Sequence, residues 1–78
     1  MIIDEVTEIF GEVIDLSELK INKDSTLGND IPLDSRDMMR ILSRIESRYR
    51  FRFQSRDILR LKKLGDILQI IEQRTLSS

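Results

Sequence analysis

The chain has 78 residues, enough for one small domain and too few for two. It contains no cysteine and no histidine, which excludes disulfides, thiolate metal sites, the commonest zinc ligands and Ser-His or Cys-His nucleophilic pairs. Its net charge of −1 conceals a division: residues 1–30 carry eight acids against Lys20 and Lys23, whereas residues 31–78 carry eleven basic and six acidic side chains. Such halves either attract each other across the fold or leave the basic half for an anionic partner, and composition leaves both open.

The first ten residues lack the basic onset and unbroken apolar run of a secretory signal. No stretch approaches the roughly 20 apolar residues of a membrane span. A cytoplasmic protein with no membrane segment is expected. Ile2, Ile3, Val6, Ile9, Phe10, Val13 and Ile14 recur at spacings of three and four, which predicts a helix over residues 2–15 with Asp4, Glu5, Glu8 and Glu12 mostly on other faces. Acids early in that helix suit its positive dipole end.

Residues 15–34 lose the helical period. Asn22, Asp24, Ser25, Gly28, Asn29, Asp30 and Pro32 are turn formers, while Leu16, Leu19, Ile21, Leu27, Ile31 and Leu33 are expected to pin the segment to the core. A loop of that length in a compact domain implies internal packing or a function.

A second helix is predicted over 35–50. Asp34 is a good N-cap, Asp37 three residues later resembles a capping box, and Pro32 stands outside. Met38, Leu42, Ile45 and Tyr49 form its inward stripe, with Met39 and Ile41 on the flanks and the row Arg36, Arg40, Arg44 and Arg48 opposite. Arg50, Phe51, Arg52 and Phe53 alternate like an edge strand, but no second strand is available for pairing, so a connector with Phe53 turned inward is preferred. Short and final helices are expected over 55–61, capped by Ser55, and 65–74, with Leu64, Ile67, Leu68 and Ile71 inward and residues 75–78 frayed. No repeat or low-complexity segment is read. The prediction is a single all-α domain over 1–78, a four-helix bundle with a long first loop and a short third helix.

Ser35 stands where the long loop meets the second helix. First-turn amides and the positive dipole end favour a phosphate attached there. No histidine or lysine lies near it in sequence, so its hydroxyl suits accepting a group delivered by another enzyme rather than attacking on its own. An ordinary cap role is the bland alternative.

From about Ile2 to Gln73 the chain resembles the acyl carrier proteins. The resemblance rests on Thr26-Leu27-Gly28-Asn29-Asp30 in the loop, Leu33-Asp34-Ser35 at the helix start, and the series Met39, Leu42, Ile45 and Tyr49. It continues through Glu46, Phe53, Ile58, Leu61, Leu64, Ile67 and Ile71. It implies 4′-phosphopantetheine from coenzyme A on Ser35, with Asp34 as motif partner, no catalysis by the chain, and acyl groups held as thioesters. It further implies an acyl cavity with Met39, Leu42, Phe53, Ile58 and Leu61 as candidates by position, against the default of ordinary core packing. The implied partners are a phosphopantetheinyl transferase and acyl-transferring or condensing enzymes, with the carrier itself a monomer.

Two departures stand out. Arg36 replaces the apolar residue that usually follows the serine, and Arg36, Arg40, Arg44 and Arg48 reverse the sign of a helix that is characteristically acidic in the family. The reversal implies partners with an acidic docking patch and a specialised fatty-acid or polyketide-type pathway. The competing reading is an unmodified helical adaptor, or a nucleic-acid- or protein-binding module using the arginine row; against nucleic acid stand the acidic first half and the lack of a recognised binding motif. No metal site is expected.

Overall fold

The computed structural model describes residues 1–76, the last of them as backbone. Four helices follow in order: α1 (Ile2–Val13), α2 (Ser35–Tyr49), α3 (Ser55–Leu59) and α4 (Leu64–Leu76). This is the all-α arrangement expected, with α1 packed on both α2 and α4. No helix among the described residues is long and apolar enough to cross a membrane.

Each helix ends for a local reason. α1 stops at Val13 rather than residue 15, because Ile14 is extended (φ −131°) and the Asp15 carboxylate turns the chain by accepting the Ser17 N–H at 2.9 Å. α2 stops at Tyr49 because Arg50 adopts the left-handed conformation (φ 57°), its N–H donating to the Glu46 carbonyl. α3 starts behind Gln54 rather than behind Ser55, and runs five residues instead of seven. α4 begins at Leu64, where the Asp66 carboxylate accepts the Lys62 and Lys63 N–H groups at 2.9 and 2.8 Å. The fraying expected from residue 75 is corrected at its start: α4 continues to Leu76, and the Thr75 hydroxyl donates to the Ile71 carbonyl at 2.8 Å. Ser77 and Ser78, placed in the same frayed end, lie outside the described residues.

Val6, Phe10, Ile31, Ile41, Ile45, Leu64, Ile67 and Ile71 are fully buried and, with Ile9 and Leu42, form one core. Ile41 belongs to its centre and not to the flank the spacing assigned it. The reason is that the long loop contributes Ile31 to the same cluster, so α2 is covered over a wider sector than a single stripe. Ile70 is likewise buried, beyond the stripe read for α4.

The loop earns its length by packing. Thr26 and Asp30 bond reciprocally, each N–H to the other's side chain at 3.0 Å, around Gly28 at φ +91°. That closed turn delivers Ile31 to the core. Its neighbours tie the loop to the start of α4: Leu27 N–H donates to the Lys62 carbonyl, Leu64 N–H to Ser25 and Gly65 N–H to Lys23. A Cβ on Gly65 would lie 3.0 Å from the Lys23 carbonyl oxygen, so only glycine allows this approach without a shift. The loop is therefore fixed against the start of α4. Between α2 and α3, residues 50–54 form the expected connector, with Phe53 half-buried and its ring edge-on to Phe51 at 4.9 Å.

Candidate functional site

The start of α2 is built as the sequence suggests. The Asp34 side chain accepts the Asp37 N–H at 2.8 Å, and the Asp37 side chain accepts the Asp34 N–H at 3.3 Å, closing a capping box. Chiefly the Asp37 N–H, and to a lesser degree the Arg36 backbone and charge, hold the Asp34 carboxyl below the usual aspartate range. Ser35 is the first residue of the helix and is exposed. Among the described residues its hydroxyl has no hydrogen-bond partner.

This geometry refines the case for a phosphate. Asp34 already occupies the Asp37 N–H and draws on that of Arg36, so these amides are not free for a group on Ser35. What remains is the dipole of a 15-residue helix and the guanidinium of Arg36. Both carboxylates beside Ser35, those of Asp34 and Asp37, accept backbone N–H groups, and among the described residues none is hydrogen-bonded to its hydroxyl.

The arginine row does not act as one face. Four-residue steps advance about 40° around a helix at 100° per residue, so the row drifts from opposite the core toward α1. Arg44 pairs with Glu12 at 3.0 Å, and Arg48 pairs with Glu5 at 3.3 Å. The Tyr49 hydroxyl donates to the same Glu5 oxygen at 2.8 Å. That bond, with help from Arg48, holds Glu5 below its ordinary value, while burial and Glu5 together push Tyr49 up. Arg36 and Arg40 make no ion pair among the described residues. Attraction between the two halves thus holds at Arg44 and Arg48, which tie α2 to α1.

Of the acyl-cavity candidates, Leu42 is in the core, and Phe53 and Leu61 are half-buried against it. Met39 and Ile58 depart from that reading, being 61% and 41% exposed. Met39 sits about 100° around α2 from the buried sector, and α3 is too short for Ile58 to reach inward as part of a two-turn stripe. Met39 instead lines a shallow groove with Arg36, Arg40, Ser43 and Arg44. Glu46 faces the connector, where its carboxylate accepts the Phe53 N–H at 2.8 Å.

Two features escape a reading by period. Asp57 is buried, accepts the Gln54 N–H at 2.8 Å and pairs with Arg74 of α4. Burial pushes its carboxyl up, but the Gln54 N–H and Arg74 outweigh that and leave it below the usual range. The second is a repeat that was not expected: Ser35-Arg36-Asp37-Met38-Met39-Arg40 and Ser55-Arg56-Asp57-Ile58-Leu59-Arg60 share one pattern, each opening a helix. Pairing Asp57 with Arg74 has no local signal, whereas the repeat was visible to direct comparison of the two helix starts. No group of three or more acidic side chains among the described residues is placed to hold a metal ion.

The domain thus presents, at the capped start of its longest helix, an exposed serine whose hydroxyl has no partner among the described residues. Residues 4–71 match the family described as "Phosphopantetheine attachment site". The acyl carrier protein of Coprothermobacter proteolyticus is 30% identical over 71 residues, spanning 91% of this chain and 87% of that protein. That of Chlamydia caviae is 25% identical over 71 residues, spanning 91% and 92%. An acyl carrier protein homolog of Mycoplasmopsis pulmonis is 31% identical over 65 residues, spanning 81% and 89%. The chain belongs to the acyl carrier protein family of phosphopantetheine-binding domains, and that membership implies a covalently attached 4′-phosphopantetheine. The exposed hydroxyl, the helix dipole and the adjacent guanidinium of Arg36 fit a phosphodiester at Ser35.

Proposed function

We propose that this single domain carries acyl intermediates on a 4′-phosphopantetheine arm joined to Ser35, as a monomer in the cytoplasm and without catalysing a reaction itself. One observation carries the assignment to Ser35: its exposed hydroxyl has no partner among the described residues, at the first residue of a long helix whose start is capped by its neighbour Asp34. A transferase would join the Ser35 Oγ to the phosphate of coenzyme A that bears the pantetheine. The pyrophosphate bond breaks, adenosine 3′,5′-bisphosphate leaves, and the serine proton passes to a base of the transferase. The arm supplies a terminal thiol that holds an acyl group as a thioester. Asp34 keeps the helix start rigid and Ser35 turned to solvent, while Arg36 offsets the negative charge gathered there.

The basic start of α2 supports partners with an acidic docking patch, among them a dedicated condensing or acyl-transferring enzyme of a specialised fatty-acid or polyketide-type pathway. Equal use by a standard fatty-acid ketosynthase and its own carrier would sink that choice of partner. The arginine-row reading as a nucleic-acid tracker loses ground, because Arg44 and Arg48 already face acids of α1.

The test is the intact mass after incubation with coenzyme A and a broad-specificity phosphopantetheinyl transferase, with Ser35→Ala as control. A gain of one arm in the wild type alone is expected. No gain with a transferase proven on another carrier, together with unmodified protein from the native host, overturns the proposal.

A further inference from the structure

Thr7 and Thr75 turn their hydroxyls back onto their own helices, donating to the carbonyls of Ile3 and Ile71 four residues earlier. Ser43 and Ser47, midway along α2, do not. Both are exposed, and among the described residues neither hydroxyl has a hydrogen-bond partner. They continue a row that starts at Ser35 and Met39, each member four residues after the last. A shallow groove follows this row. Near Ser35 it is lined by Arg36, Met39, Arg40, Ser43 and Arg44; farther on it is lined by Ser43, Ser47 and the half-buried Phe51. The two stretches meet at Ser43. Arg36 and Arg40 at the near end make no ion pair among the described residues.

We propose that this groove is the resting site of the arm on Ser35, which it holds along the outer face of α2 and away from α3. The placement rests on the carrier reading, and length and chemistry support it. From Ser35 to Ser47 the helix rises about 18 Å. About fourteen bonds separate the serine oxygen from the sulfur of the arm, an extended reach of about 16 Å. An arm anchored at the first residue of the row therefore ends beside Ser47. Its groups also come in the order that the row can use. The phosphate is fixed at the anchored end, beside the uncompensated guanidinium of Arg36. The two methyl groups on one carbon follow within about one turn, where Met39 offers an apolar surface 61% exposed. Two amides come next, and the hydroxyls of Ser43 and Ser47 can donate to their carbonyls or accept their N–H groups. No such series exists on α3, which is five residues long with Asp57 turned inward. Held this way, the thiol end stays near Phe51 between encounters with enzymes.

The full chain with the arm loaded, its intact mass verified, is compared with unloaded chain by backbone amide shifts. Shifts on loading should run from Ser35 through Met39 and Ser43 to Ser47 and leave α3 unmoved. A nitroxide attached to the thiol should broaden the amides of Ser47 and Phe51 more than those of Ser55 and Arg56. Ser43→Trp with Ser47→Trp fills the groove and should cut that broadening about threefold, with thiol alkylation by iodoacetamide about threefold faster. Ser43→Ala should speed alkylation less than twofold, about the loss of one exposed hydrogen bond. Circular dichroism of each variant separates a lost groove from a lost fold. Shifts confined to residues 34–37, strongest broadening at α3, or a tryptophan pair without effect would each overturn the placement. Should a proven transferase leave Ser35 bare, the mass result counts against the carrier reading alone. Ser35→Cys, in a chain with no cysteine of its own, then takes a synthetic arm of the same length and groups, and the same readings decide the groove.

Discussion

The starts of α2 and α3 use the same hexapeptide for different ends. In both, a serine is the first helical residue and an aspartate at the third accepts the N–H of the residue before the helix: Asp37 from Asp34, Asp57 from Gln54. At α2 that aspartate is half-exposed and the helix runs fifteen residues. At α3 it is 4% exposed, is paired with Arg74, and the helix ends after five. A cap that faces water can border a site where another enzyme works. A cap buried under α4 serves to hold a short helix down, since five residues have too little propensity and dipole to persist alone. Local sequence makes both serines exposed helix starts, and their surroundings separate them.

The sharpest way to break this comparison is to ask which serine accepts the arm. Ser35→Ala should abolish the mass gain completely, and Ser55→Ala should leave it at the wild-type level. Peptide mapping of the loaded protein should find the arm on Ser35 alone. An arm on Ser55, in any fraction, would show that the shared hexapeptide suffices and that helix length and the Asp34 cap do not matter.

Next in size is stability. Asp57→Ala removes one partner of a nearly buried ion pair and leaves Arg74 beside an emptied site, which should cost about 3 kcal/mol in urea unfolding. Asp37→Ala removes the corresponding aspartate of an exposed cap and should cost under about 1 kcal/mol. Equal losses would mean that the burial of Asp57 carries no special weight.

Acid titration reads the same pair. Asp57, held below the ordinary aspartate value when folded, contributes stability that is present above the unfolded value of about 3.9 and is lost as pH falls through the folded one. The melting temperature should therefore hold down to about pH 4.5 and drop below about pH 4. Asp57→Asn should start lower and show a shallower acid limb, because it cannot gain that proton. An acid limb as steep as the wild type's would assign the loss to other carboxylates.

Much of this was legible in the sequence because it depends on near neighbours. Helical period, the Asp34–Asp37 box and the turn at Gly28 each follow from residues within a few positions of one another. Ser35 was legible as an exposed helix start for the same reason. What was not legible depends on distance along the chain. Arg44 and Arg48 meet Glu12 and Glu5 across more than thirty positions, so a row read as one basic face is half consumed by α1. Ile41 joins the core because Ile31 arrives from the loop. The left-handed Arg50 carries no glycine to announce it, and α3 is cut short by a chain that must reach α4.

The smallest effect concerns the one residue that differs just before the two copies. Gln54→Asp would give α3 the same Asp-Ser-Arg-Asp start as α2. At a water-facing helix start, aspartate in place of a poor N-cap stabilises by about 1 kcal/mol. Here the new carboxylate would lie close to buried Asp57, where repulsion is poorly screened, so a net change under about 0.5 kcal/mol is expected. The variant should also gain no second arm in the mass assay, since a five-residue helix still lacks the dipole and length of α2. A second arm on Ser55 in this variant alone would locate recognition in the aspartate before the serine. A stabilisation near the full value for an exposed cap would instead show that Arg74 screens Asp57 well enough to make the two helix starts electrostatically alike.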